Sequence, residues 1–341
     1  MSNLQQIITT QDKKTLNVRF WPTDICNFSC EYCFPGSVTN NLRYPKNVDT
    51  VLKNFKILFD EYAEKHGKEN FYINIVGGGE PALWPHLNYF CENIKKDHNV
   101  FIKLTTNGSR TIKWFNKNTQ YIDKFTMSCH HKDVNLDKFI EVCDWIHESG
   151  KEPGVLMLMD AKHWDKCTAY VDRMVSQSKY AWTIQAKEVV DAPGHDMEVY
   201  TSEQLDYLKQ PYKRIPDAKW IMDNLHDLRI HESVAMYDDD SVVLAGPNKY
   251  INSRENSFKG WKCDVALENL VVSHDGTCTG SCQEEIFKGA NLNMFSESFE
   301  EEFNKAQFSL ASIICPRECC SCQPDTHITK RSTLITVQNL S

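Results

Sequence analysis

Short apolar runs alternate with longer stretches in which apolar residues recur every three or four positions. Residues 16–20, 71–76, 100–104, 125–128, 155–159 and 182–189 read as strands. Residues 50–65, 87–96, 112–115, 136–149 and 163–175 read as helices between them. Asp49 is a plausible cap for the first helix, and Gly67 and Gly150 are natural stops. Strand–helix alternation predicts an α/β fold with a parallel sheet and right-handed crossovers. Six such units are too few to close an eight-fold barrel but suit a partial (β/α)6 barrel of the TIM type. In such barrels the working groups gather at the C-terminal ends of the strands.

The pattern changes after residue 190. Residues 191–260 carry Pro193, Pro211, Pro216, Pro247 and the acidic run Asp238-Asp239-Asp240, with amphipathic pieces at 202–208 and 218–228. They read as a connector covering the barrel. Residues 270–279 read as a β-hairpin, with Asp275-Gly276 as a type I′ turn signal. Residues 299–308 read as a helix. The expected division is therefore a core at 1–190, a connector at 191–260, a small hairpin-plus-helix cysteine-rich domain at 261–325, and a tail at 326–341.

A chain of 341 residues accommodates one large domain with an appendage. Its net charge of −8 argues against a nucleic-acid scaffold, which carries a basic stripe. The first residues lack a charged and then apolar signal segment, and no apolar run has membrane-spanning length. The expectation is a soluble cytoplasmic protein, where a disulfide framework is a poor use for its 14 cysteines. Cys91, Cys143 and Cys167 fall on helices and read as small buried hydrophobes.

Cys26, Cys30 and Cys33 form a C-x3-C-x2-C run with Tyr32 before the last cysteine. Three nearby thiolates can hold three irons of a four-iron cluster, leaving the fourth open to an outside ligand. A zinc site is the bland alternative, but the x3 spacing and the lack of a near fourth ligand fit it poorly. The segment resembles the signature of the radical S-adenosylmethionine (SAM) superfamily. That resemblance implies a [4Fe-4S] cluster whose open iron chelates SAM, and reductive cleavage of SAM to a 5′-deoxyadenosyl radical. Gly78-Gly79-Glu80, ending the second strand, resembles the family's glycine–glycine–glutamate motif for the methionine ammonium. Asn107 and Ser128 stand where the family places groups near the ribose and the methionine carboxylate. Gln185 and Lys187 share one side of the sixth strand and are further cofactor candidates. Cys129 and His130 are candidates to return a hydrogen atom or move a proton. Packing is the plain alternative for either.

Cys263, Cys282, Cys315, Cys320 and Cys322 bracket the hairpin and resemble the SPASM or twitch extensions of radical SAM enzymes, implying an auxiliary [4Fe-4S] cluster. Cys278 and Cys319 are then spare, and structural zinc is the alternative. The resemblance implies hydrogen abstraction from a small polar molecule or peptide, in oxidation, epimerisation or cross-linking, with electrons from a reducing partner protein. No peptide-binding leader domain is recognisable, which favours the small molecule. A methyl- or sulfur-transferring radical SAM enzyme and a non-enzymatic iron–sulfur or zinc protein are the rival readings.

Overall fold

A computed structural model describes residues 3–33, 44–179, 182–189, 200–210, 212–214, 233–246, 250, 254–280, 292–305, 311–320 and 326–333. After strand β1 (Leu4–Thr9), the chain enters the expected alternation. It runs β2 (Thr15–Phe20), α1 (Val48–His66), β3 (Asn70–Ile75), α2 (Leu87–Ile94), β4 (Asn99–Thr106) and α3 (Ile112–Asn118). Then come β5 (Lys124–Cys129), α4 (Leu136–Glu148), β6 (Pro153–Met159), α5 (Trp164–Gln177) and β7 (Thr183–Glu188). The helix ends are chemically marked. Asn47, rather than Asp49, caps α1 by accepting from the amides of Asp49 and Thr50, and Gly67 closes it at φ 60°.

Strands β2 to β7 lie side by side in sequence order, each parallel to the next. This is the expected partial barrel, an open curved sheet backed by helices. Alternation divides the strands cleanly. Leu16, Val18, Phe20, Phe71, Ile73, Ile75, Val100, Ile102 and Leu104 join one buried core with the helices. The residues between them face the other way, into the concave side.

The second half departs from the expected division. It comprises α6 (Ser202–Lys209), β8 (Tyr212–Arg214), β9 (Ser233–Tyr237), β10 (Val242–Ala245), β11 (Lys262–Cys263), α7 (Val265–Glu268), β12 (Asn269–Val272), β13 (Cys278–Thr279), α8 (Phe299–Lys305), β14 (Ile313–Ile314) and β15 (Lys330–Arg331). The hairpin β12–β13 is not a scaffold apart from the barrel, because β12 pairs in parallel with β2 and extends the barrel sheet. A second sheet runs β10-β9-β1-β15-β11-β14. It joins residues from the expected core, connector, auxiliary domain and tail. The hairpin turn also differs from type I′. Gly276 has φ 88° and its amide donates to Ser273 O at 2.8 Å, while Asp275 keeps a negative φ. That is a turn closed by a left-handed glycine over a three-residue loop. The expected helix at 218–228 lies outside the described residues. Among the described residues no helix is long and apolar enough to cross a membrane.

Candidate active site

The cysteine loop leaves β2 and is clamped by the ends of the next three strands. Past β3, Glu80 N donates to Ile25 O at 2.7 Å. A Cβ at Gly79 would lie 2.3 Å from Ile25 O and 2.6 Å from both Asp24 C and Ile25 N, so the two backbones meet where only glycine fits. The Cys33 thiol reaches Gly78 O at 4.0 Å. Past β4, Asn107 Nδ2 donates to Asn27 Oδ1 at 3.1 Å and lies 4.0 Å from Cys26 Sγ. Past β5, Asp133 accepts from Ser29 N at 2.8 Å, and Lys132 Nζ donates to Ser29 O at 3.1 Å.

Tyr32 is held by the same rim. Its hydroxyl lies 3.1 Å from His130 Nδ1, and the two rings stack with centroids 5.9 Å apart. The Cys30 thiol is an electrostatic neighbour of the phenol. Burial, then the neighbouring Cys30, pushes the phenol well above its ordinary value, so it remains a donor. Burial pushes the His130 ring down to about 4, so at neutral pH it is an uncharged partner. His131 lies beside it, stacked on His163 and 3.8 Å from Asp160.

Glu80 is buried, and its carboxylate accepts three hydrogen bonds within the chain. It accepts from Ala82 N at 2.8 Å, Thr106 Oγ1 at 2.6 Å and Asn107 N at 2.7 Å. Burial raises its pKa against these three bonds, which favour the charged form. Its side chain therefore ties the end of β3 to the end of β4.

The other candidates divide by strand parity. Ser128, Gln185 and Lys187 occupy inward positions on β5 and β7. Cys129 does not join them. It shares parity with Phe125 and Met127, is fully buried in the core, and has the Cys143 and Cys167 thiols of α4 and α5 as electrostatic neighbours. Its thiol faces the helical layer, away from the concave side.

The three loop cysteines are half-buried. Burial, then Glu80 and Cys33, raise the Cys26 thiol, and burial, Asp133 and Cys33 raise Cys30 to about 11. Three half-buried thiols on one short loop, two of them with ionisation opposed by burial and nearby carboxylates, are a donor set that a cationic metal group would satisfy, since it binds the thiolate form.

Residues 22–163 match the family model of the radical SAM superfamily. They form a radical SAM domain. An S-adenosylmethionine-dependent nucleotide dehydratase of Thermoplasmatales archaeon (strain ISO4-H5) is 26% identical over 155 residues, 41% of this chain and 51% of that protein. A GTP 3′,8-cyclase of Pasteurella multocida (strain Pm70) is 30% identical over 35% of this chain and 36% of its own length. The chain thus spans about half or less of the curated relatives it matches. Among solved structures, native anSMEcpe with bound AdoMet and Kp18Cys peptide aligns at TM-score 0.48 and 15% identity, covering 86% of this chain and 81% of that one. BtrN in complex with AdoMet and 2-DOIA aligns at TM-score 0.39 and 14% identity, covering 86% and 82%.

The radical SAM family works with a four-iron cluster and SAM, and the donor set of the cysteine loop fits the cluster. Outside the radical SAM domain, the structure brings together three of the five expected auxiliary ligands. Cys263 is buried on β11, and burial pushes its thiol up to about 12, with Cys320 and Cys315 adding to the rise. Cys315 N donates to Trp261 O at 2.8 Å and Cys320 N to Asn256 O at 2.7 Å, fixing both against the β11 region. Cys282 and Cys322 lie outside the described residues. Cys278 packs in the main core and Cys319 is exposed.

Sequence reasoning missed Arg19, which occupies an inward position on β2 two residues before Trp21. The available signal was parity, because Leu16, Val18 and Phe20 mark the other face.

Proposed function

We propose that the chain is a radical SAM enzyme that abstracts a hydrogen atom from a small molecule held on the concave face of the open barrel. The supporting observation is the convergence of Cys26, Cys30 and Cys33, under clamps from three strand ends, within the radical SAM domain. In this reading the three thiolates hold three irons. When bound, the cluster supplies the electron that splits SAM into methionine and a 5′-deoxyadenosyl radical, which takes hydrogen from substrate. The backbone of Gly77–Gly79 lies against the loop to receive the methionine end of SAM, and Glu80 positions that turn through its own hydrogen bonds. Asn107, beside Cys26, and Ser128, on the inward face, serve the rest of SAM. Tyr32, standing among the loop cysteines, is braced by His130, so His130 acts as a positioning residue.

The names of the matched relatives, a nucleotide dehydratase and a GTP cyclase, favour a small molecule over a peptide. Cys263, Cys315 and Cys320, with Cys282 and Cys322, hold an auxiliary cluster, and a reducing electron-transfer protein in the cytoplasm feeds the system. The deciding experiment is 5′-deoxyadenosine formation by anaerobically reconstituted protein given SAM and a strong reductant. The reading expects product that vanishes in Cys30→Ala. A verified four-iron cluster that yields none, with or without candidate substrates, removes it.

A further inference from the structure

The concave wall has a charge pattern unlike the rest of the chain. Its inward positions on β2–β7 and β12 include Arg19, Lys103, Lys124 and Lys187. No aspartate or glutamate occupies an inward position on those seven strands. The whole chain has 46 acidic against 38 basic residues, so a wall with only cations runs against the composition.

Arg19 and Lys187 stand on the first and last of the six consecutive parallel strands. Curvature nevertheless brings them within electrostatic reach. Burial lowers the Lys187 pKa, the adjacent Glu188 raises it, and Arg19, acting less strongly than Glu188, lowers it. Two cations on inward positions within electrostatic reach of one another favour an added anion in the partly desolvated space they share, since Glu188 neighbours only Lys187. A nearby donor is also unmatched. Trp21, whose ring lies 5.8 Å from the Arg19 guanidinium, has its indole Nε1 buried without a protein partner. An arginine fork, an ammonium and an indole N–H are complementary to the several oxygens of a phosphate.

We infer that the substrate is an organic phosphate whose anionic group is bound inside the barrel between Arg19 and Lys187. This rests on the preceding reading that the concave face is the substrate chamber. It moves Lys187 from a SAM contact to a substrate contact. Both residues lie on strands whose C-terminal ends meet the rim. The phosphate therefore anchors the substrate below the cysteine loop, and the rest of the molecule reaches up toward it.

The test is calorimetry on the reconstituted holoprotein with SAM bound. The probes are pyrophosphate, the four ribonucleoside triphosphates, their uncharged nucleosides, and citrate. Phosphates are expected to bind and nucleosides to bind far more weakly. Arg19→Gln and Lys187→Gln are each expected to weaken phosphate binding about tenfold or more, the loss of one charge-assisted contact. Arg19→Lys, which keeps the charge, is expected to retain part of that affinity. The inference is overturned by any of three results: no phosphate binding at millimolar concentration, citrate binding as well as the phosphates, or a Lys187→Gln variant that weakens SAM and leaves phosphate unchanged. Measuring 5′-deoxyadenosine on the same preparations separates the two ideas. SAM cleavage without phosphate binding sinks this inference alone, whereas phosphate binding without SAM cleavage sinks the radical reading alone.

Discussion

Gly79→Ala perturbs the contact that joins the glycine turn to the cysteine loop. Gly79 does not have a positive φ, so alanine carries no backbone penalty there and the effect is steric. The added Cβ would meet three backbone atoms of Asp24 and Ile25 at 2.3–2.6 Å, and none of them can swing away as a side chain would. Relief requires the turn and the loop to part, which stretches the 2.7 Å bond from Glu80 N to Ile25 O. Overpacking costs about 1–3 kcal/mol and the weakened bond about 1 kcal/mol, for a total of about 2–4 kcal/mol. With an unfolding entropy of about 2 cal/mol/K per residue, Tm falls by about 3–6 °C. The assay is thermal unfolding of the apoprotein by circular dichroism, alongside iron bound per chain after anaerobic reconstitution. Both should fall. Gly77→Ala is the control, because its Cβ would lie in ordinary contact, 3.4 Å from Thr23 O and Trp21 Cβ, and little should change. Wild-type melting and iron uptake in Gly79→Ala would refute close packing as what holds the two segments together.

Two further perturbations test other parts of the structure. Lys68 donates to the carbonyls of Lys13 at 2.7 Å and Thr15 at 3.1 Å, and burial lowers its pKa from 10.5 to about 8. The unfolded chain keeps that proton to higher pH, so this group makes stability rise as pH climbs from about 8 to 10.5. Lys68→Met should flatten the rise in urea midpoints across that window, and an unchanged slope would contradict the assignment. Cys129→Ala should lower stability by about 1 kcal/mol through a small core void and leave product identity unchanged in the radical assay. A specific loss of product with normal SAM cleavage would instead place its thiol at the substrate.

The barrel was legible because each of β2 to β7 carries its own alternating apolar signal and each crossover helix its own period. The second sheet was not. Strands β11, β14 and β15 are two residues long, too short to show any period, and β1 pairs with partners more than two hundred residues away. At the site, the cysteine run and the glycine turn could be read from spacing. The capture of Glu80 by Thr106 and Asn107 could not, since it joins different strand ends across 26 and 27 residues of sequence. The facing of Cys129 was available in principle. It sits two and four positions after Met127 and Phe125, a parity that assigns it to the helical layer.

The pairing of β12 with β2 has a consequence for the order in which the protein is made. Strand β2, which delivers the cysteine loop, is flanked by β3 on one side as soon as residue 75 has emerged. Its other edge stays open until residues 269–272 are synthesised. Strand β1 waits for residues 233–237 and then for residues 330–331. An unpaired edge beside a metal-binding loop invites pairing with other chains. The nascent protein therefore carries its most reactive segment on an unfinished sheet for most of its synthesis. Iron delivered before the last strands arrive would meet a loop whose supporting strand is held from one side only.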